Sequence, residues 1–117
     1  MSYVDGFVVA VPLDKLDAYR ELAETAAAVW MEHGALSFVE CVADDAPYGE
    51  LTSFPRAVQQ KDDETVFFSW IEYPSREARD ATVAKVMADP RLEASMKDAP
   101  FDGKRMIFGG FKVFVRR

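Results

Sequence analysis

Two carboxylates stand inside runs of β-formers, where a side chain able to move a proton attracts notice. Glu40 lies in Leu36 to Ala43 and Glu72 in Thr65 to Tyr73. A carboxylate held in a covered strand is desolvated, its pKa rises, and general-base chemistry becomes available to it. Glu40 shares a strand parity with Leu36, Phe38 and Val42, and Glu72 shares one with Phe68 and Trp70. Pairing the two runs as a hairpin sets Glu40 near Phe68 and Glu72 near Leu36. The carboxylates are then about four residues, roughly 13 Å, apart along the strands. That is too wide for a cooperating pair. Solvated strand ends, or ion pairs with Arg56, Arg76 or Arg105, are the simpler roles.

Cys41 and His33 are the only residues of their kinds. A thiol nucleophile needs a nearby cation or base, and none stands beside Cys41, so a small buried strand residue is expected. His33 ends a helical segment just before Gly34, where an imidazole meets the last carbonyls and the helix dipole. It could ligate haem only if it faced a cavity. A structural zinc site is excluded on ligand count, and no metal site is expected; Asp44-Asp45 and Asp62-Asp63 read as solvated turns. There is no phosphate-cradling glycine loop and no G-x-S-x-G elbow. No cofactor is expected.

These residues must be positioned by elements with clear periods. Tyr3 to Val11 is a nearly continuous β-forming run ended by Pro12, a first strand buried on both faces. From Leu13 to His33, Leu16, Tyr19, Leu22, Ala23, Ala26, Val29 and Trp30 recur at helical steps, with charges between them. Leu36 to Ala43 and Thr65 to Tyr73 are the second and third strands. Ser75 caps a second helix carrying Ala78, Thr82, Val83, Val86 and Met87, and Asp89-Pro90 restarts a short helix to about Lys97. Ala99 to Lys104 is a loop. Arg105 to Val115 is the last strand, and its Gly109-Gly110 pair suggests a bulge or a close backbone approach.

This order, β-α-β-β-α-β, is the ferredoxin-like pattern. The expected fold is α+β: one domain over 1–117, with a four-stranded antiparallel sheet and two helices on one face. The segment 44–64 is long for a hairpin connection, and a helical turn around Ser53 to Gln59 would order part of it.

Composition narrows the partners. The chain of 117 residues has 20 acidic and 14 basic side chains, a formal charge of −6, and half its residues are hydrophobic. Acidic surfaces repel phosphate backbones. The third strand has the aromatics of an RNA-binding module without its glycine or its positive charge, so nucleic acid is not an expected partner. The apolar run at Met1 to Val11 is too short to span a bilayer and lacks signal-peptide features. A single cysteine allows no intrachain disulfide. A cytoplasmic protein with no membrane partner is expected.

The sheet face away from the helices should alternate with polar residues if water covers it. Val66, Phe68 and Trp70 oppose Phe67 and Ile71 on the third strand. On the last, Ile107, Phe111, Val113 and Val115 oppose Met106, Phe108 and Phe114. Such a face spans on the order of 475 Å² in projection, near the upper range for an exposed patch on a monomer. A homodimer stacked through the sheet face is expected, in preference to a sheet covered by its own long loop.

Several segments carry a family resemblance. They are Tyr3-Val4-Asp5-Gly6-Phe7, Glu32-His33-Gly34-Ala35, Val39-Glu40-Cys41 and Phe54-Pro55-Arg56-Ala57-Val58, then Phe68-Ser69-Trp70-Ile71-Glu72, the run from Ala84 to Pro90 and the run from Phe101 to Phe111. Together they resemble the uncharacterised bacterial YbaA-like family, domain of unknown function 1428, over nearly the whole chain. The resemblance implies a dimeric α/β barrel and carries over no catalytic residue.

The functional expectation is a homodimer that binds a small molecule between helices and sheet, beneath the 44–64 loop. Trp70, Tyr48 and Phe101 are its apolar candidates, and Arg56, Arg105, Glu40 and Glu72 its polar ones. Two alternatives stand beside it. One is an enzyme of the oxygenase or isomerase type on the same barrel, with Glu40, Glu72, Cys41 or His33 as reactive groups; the Trp, His and Asn set of cofactor-independent oxygenases is incomplete, because the chain has no Asn. The other is a structural dimer without a ligand.

Overall fold

The computed structural model describes residues 2–117. β1 (Tyr3–Pro12) runs until Pro12, which has no amide hydrogen to extend a ladder. A 3-10 turn at Leu13–Lys15 leads into α1 (Leu16–Glu32), whose buried stripe is Tyr19, Leu22, Ala26 and Val29. The His33 amide donates to the carbonyls of Val29 and Trp30, and Gly34 turns the chain at φ +121°. A Cβ there would stand 3.0 Å from Thr82 Oγ1, which donates to the His33 carbonyl. Glycine is therefore required at Gly34 both for its backbone and for the room.

β2 (Ser37–Val42) is followed by a long connection holding α2 (Phe54–Ala57). Ser53 Oγ caps α2 by accepting from the Arg56 amide. β3 (Glu64–Tyr73) leads to α3 (Arg76–Met87), where Ser75 Oγ accepts from the Ala78 amide as expected. Asp89 caps α4 (Pro90–Met96), with Pro90 in its first turn. β4 (Ile107–Lys112) closes the chain's regular structure and is shorter at both ends than the expected 105–115.

The four strands form one antiparallel sheet in the order β2-β3-β1-β4, so the architecture is α+β. α1, α3 and α4 cover the face that carries the odd-numbered residues of β1 and β3. Two expectations change here. The β1–β4 register is continuous through Gly6↔Gly109 and Asp5↔Gly110, so no bulge exists. Gly110 does mark a close approach: an added Cβ would collide with the Tyr3 hydroxyl and crowd Arg79 Nη2.

The second change is in the hairpin register. β2 pairs with β3 as Glu40↔Ser69, Cys41↔Phe68 and Ser37↔Glu72, one residue away from the expected pairing. A one-residue slip exchanges the faces of a strand. Glu40 therefore looks toward the helices, while Glu72 lies on the opposite face and meets Arg116. They form no carboxylate pair, for a stronger reason than distance.

The 44–64 segment also lies on the side away from α1 and α3. Val58, fully buried, packs with Ala43 and Ala46 onto Val8, Ala10 and Val66, and Phe54 meets Phe68 at 5.6 Å between centroids. The loop thus covers one end of the second sheet face and does not close over the helix side. Arg105 pins its end. The guanidinium donates to both Glu64 oxygens (2.9 and 2.6 Å), to the Val58 and Gln59 carbonyls, and to Asp102.

Candidate functional site

Between α1, α3, α4 and the sheet lies a cavity of about 350 Å³. Its floor is built in rows across the strands. The register aligns Glu40, Ser69, Phe7 and Phe108 in one row and Phe38, Ile71, Asp5 and Gly110 in the next. Tyr19, Ala23, Ala26 and Trp30 descend from α1 at helical spacing, and Val83 and Met87 from α3; Phe101 and Met106 close one end. Almost all of this wall is carbon. Such a cavity is a default small-molecule site, with the few polar groups setting orientation.

Those polar groups form two sets. In the first, Trp30 Nε1 donates to Tyr73 Oη (3.0 Å), which donates to Asp5 Oδ2 (3.0 Å). Arg79 Nη1 lies 3.4 Å from Asp5 Oδ1, and Nη2 donates to Tyr3 Oη while the guanidinium stacks 4.9 Å from the Tyr3 ring centre. Arg79 Nε lies 3.0 Å from Asp80 Oδ1 but is not aligned to donate to it. Burial and the Asp5 charge push the Tyr73 hydroxyl well above the ordinary tyrosine range. The Asp5 charge is thus balanced by Arg79.

In the second set, Tyr19 Oη donates to Glu40 Oε1 at 2.9 Å. Burial raises the Glu40 pKa, and the Tyr19 hydrogen bond lowers it by a smaller amount. The Tyr19 hydroxyl is pushed far up by burial and by the Glu40 charge. No cation faces Glu40, and Oε2 has no protein partner among the described residues. Ser69, buried and directly opposite Glu40 on β3, also has no side-chain hydrogen bond there.

Of the residues singled out from sequence, Glu40 and Phe101 line this cavity. Trp70 lies on the other sheet face beside Phe68, at 5.7 Å between ring centres. Tyr48 sits in the loop beneath Arg56, whose guanidinium is 4.3 Å from its ring centre and donates to the Tyr48 and Gly49 carbonyls. Arg105 is used up by Glu64 and the loop. Cys41, paired with Phe68, shares the second face and is half-buried, not buried as expected, because β2 is the edge strand of the sheet. His33 Nε2 meets Asp89 Oδ2 at 3.0 Å, joining the end of α1 to the start of α4, and does not line the cavity. Asp89 is held well below the ordinary carboxylate range, first by Arg91 and then by His33.

Sequence reasoning passed over Tyr19, Asp5, Ser69, Arg79 and Tyr73. A signal existed for three of them. Asp5 and Ser69 interrupt apolar strands on the parity that faces the helices, and Tyr19 brings a hydroxyl into an apolar helical stripe where it needs an acceptor.

Residues 2–103 match the family described as Protein of unknown function (DUF1428). The chain belongs to this family. Uncharacterized protein YbaA of Escherichia coli is 57% identical over 115 residues, covering 98% of each chain, and the YbaA protein of Shigella flexneri matches equally. Among solved structures, Rv0793 from Mycobacterium tuberculosis superposes with a TM-score of 0.61 at 14% identity, over 99% of this chain and 98% of that one. A nipsnap family protein with unknown function from Agrobacterium tumefaciens reaches 0.58 at 13% identity, over 96% and 87%. A dimeric ferredoxin-like protein from an uncultured marine organism reaches 0.53 at 14%, over 95% and 92%. These structural likenesses show the fold alone. The YbaA relatives are uncharacterised proteins. No described helix is long and apolar enough to cross a membrane.

Proposed function

We propose that this chain is a cytoplasmic homodimer of the dimeric α/β barrel type, binding a small, largely apolar molecule between its helices and sheet. The observation that carries the ligand reading is the cavity itself: about 350 Å³ with an almost wholly carbon wall and two fixed polar sets. Packed interiors hold few voids larger than a water molecule, so a space of this size reads as room for a ligand. Phe101 and Glu40 are its retained candidate contacts, joined by Tyr19, Phe7, Trp30 and Ser69.

The dimer reading rests on the second sheet face. The loop covers only one end of it: Phe68, at the edge of that cover, is still 43% exposed, and Ile107 and Phe111 beyond it are 45 and 63% exposed. A second copy stacked there would remove that apolar surface from water, and one structural neighbour is itself described as dimeric. Glu40 favours a second reading of the cavity as an isomerase-type site, because a carboxylate of raised pKa in an apolar pocket can take and return a proton.

Filling the cavity tests the ligand reading. Ala23 lines it from α1, and Ala23→Phe is expected to abolish binding of naphthalene, measured by fluorescence titration, while keeping the far-ultraviolet circular dichroism of the parent. Equal naphthalene affinity in both proteins would contradict the cavity as the site.

A further inference from the structure

We propose that the cavity selects an apolar molecule carrying one neutral hydroxyl, phenolic in type, which donates to Glu40 Oε2 and accepts from Ser69 Oγ. This deepens the small-molecule reading and rests on it.

The two polar sets differ in what they leave unused. Asp5 is already faced by Arg79 and bonded by Tyr73. Glu40 has one partner, the Tyr19 hydroxyl on Oε1, and no cation. Glu40 is half-buried, and its second oxygen opens to the cavity, where a ligand donor can reach it. Tyr19 shows the kind of donor this wall accepts: a phenol, whose ring packs against Phe67 and Phe101 at 4.5 and 5.9 Å. A phenolic ligand on Oε2 repeats that arrangement on the other side of the carboxylate.

Ser69 supplies a second partner for a ligand hydroxyl. It stands directly across the β2–β3 pair from Glu40, and opposed side chains there begin about 4.5–5.5 Å apart. One ligand oxygen between them can donate to Glu40 and accept from Ser69. An ammonium could donate to both Glu40 and Ser69, but it would lose its hydration in a carbon-walled space. A carboxylate ligand would face Glu40 and Asp5 with only Arg79 positive, and Arg79 already serves Asp5. The volume lies at the low end for ligand pockets, about 300–1,000 Å³, which suits a molecule of about two rings.

Four matched probes test this by calorimetric titration near neutral pH: naphthalene, 2-naphthol, 2-naphthoate and 2-naphthylmethylammonium. The expected order puts 2-naphthol at least tenfold tighter than each of the others. Glu40→Leu should bring 2-naphthol down to the level of naphthalene and leave naphthalene unchanged; Ser69→Ala should weaken 2-naphthol several-fold. Glu40→Gln, close in shape, repeats the test if Glu40→Leu fails to fold, and should weaken 2-naphthol while narrowing the gap to 2-naphthoate. Equal binding of naphthalene and 2-naphthol, tightest binding of the ammonium or the carboxylate, or indifference to both Glu40 variants overturns the hydroxyl inference and leaves the cavity standing. Failure of all four probes to bind overturns the cavity reading as well.

Discussion

Tyr19 on α1 donates its hydroxyl hydrogen to Glu40 Oε1 on β2 across 2.9 Å, joining helix and sheet at the wall of the cavity. The bond lowers the Glu40 pKa while burial raises it, and burial is the larger effect. Asp5 and Arg79 are the charged groups that share the cavity wall, and they face each other.

Removing the bond should therefore raise the Glu40 pKa further. Tyr19→Phe is expected to move the carboxyl titration, followed by carbon-13 resonance, to higher pH than in the parent. A shift to lower pH would mean that Tyr19 does not stabilise the charged form. The sign for stability follows from linkage. A carboxyl raised above its unfolded value favours folding below that value, about 4.5, and the benefit is lost as pH rises through the folded value. Glu40→Gln should thus gain in melting temperature relative to the parent between acid and neutral pH.

Glu64 behaves in the opposite sense. The Arg105 guanidinium holds its carboxyl down at about 2. Its contribution is complete above the unfolded value near 4.5 and disappears as pH falls toward 2. Glu64→Gln should lose stability at neutral pH, on the order of 3 kcal/mol for breaking a buried pair, and should flatten the acid limb of the stability curve. Urea unfolding at several pH values measures both, and an unchanged acid limb would separate Glu64 from that effect.

Gly110 tests the packing of Tyr3 and Arg79 against β4. Gly110→Ala places a methyl group against the Tyr3 ring and Arg79 Nη2, and should cost about 1–3 kcal/mol through overpacking. Gly103→Ala, where an added Cβ meets nothing within 4 Å, should stay within about 0.5 kcal/mol. Equal effects at the two positions would contradict the close approach at Gly110.

The open part of the second sheet face predicts the oligomeric state. Phe111→Glu puts a charge on a residue that is 63% exposed in one protomer and should shift light-scattering mass from dimer toward monomer with little change in protomer folding. A parent that is monomeric at high concentration would remove the dimer.

Element positions were legible because their signals are local. Apolar steps of three and four marked α1, Ser75 marked the cap of α3 and Asp89-Pro90 the restart at α4, whereas β3 is apolar on both parities, so its sequence did not say which face carries Phe68 and Trp70. The β2–β3 register was not legible. A 21-residue connection from Asp44 to Glu64 imposes no tight-turn geometry, so nothing local distinguishes Glu40↔Ser69 from a pairing one residue away. That single slip misplaced Trp70 relative to the cavity and hid the separation of Glu40 from Glu72. The loop's direction was equally hidden, since it depends on Val58 and Ala46 finding Val8, Ala10 and Val66 on the far face. Arg105 resembled a binding residue because its three acceptor regions converge only after folding.

The two tryptophans report directly on where a ligand sits. Trp30 lines the helix–sheet cavity, and Trp70 lies on the other face of the sheet. On titration with 2-naphthol, the indole Nε1–H resonance of Trp30 is expected to shift in proportion to occupancy while that of Trp70 stays in place. A shift of Trp70 with Trp30 unmoved would contradict the cavity as the binding site.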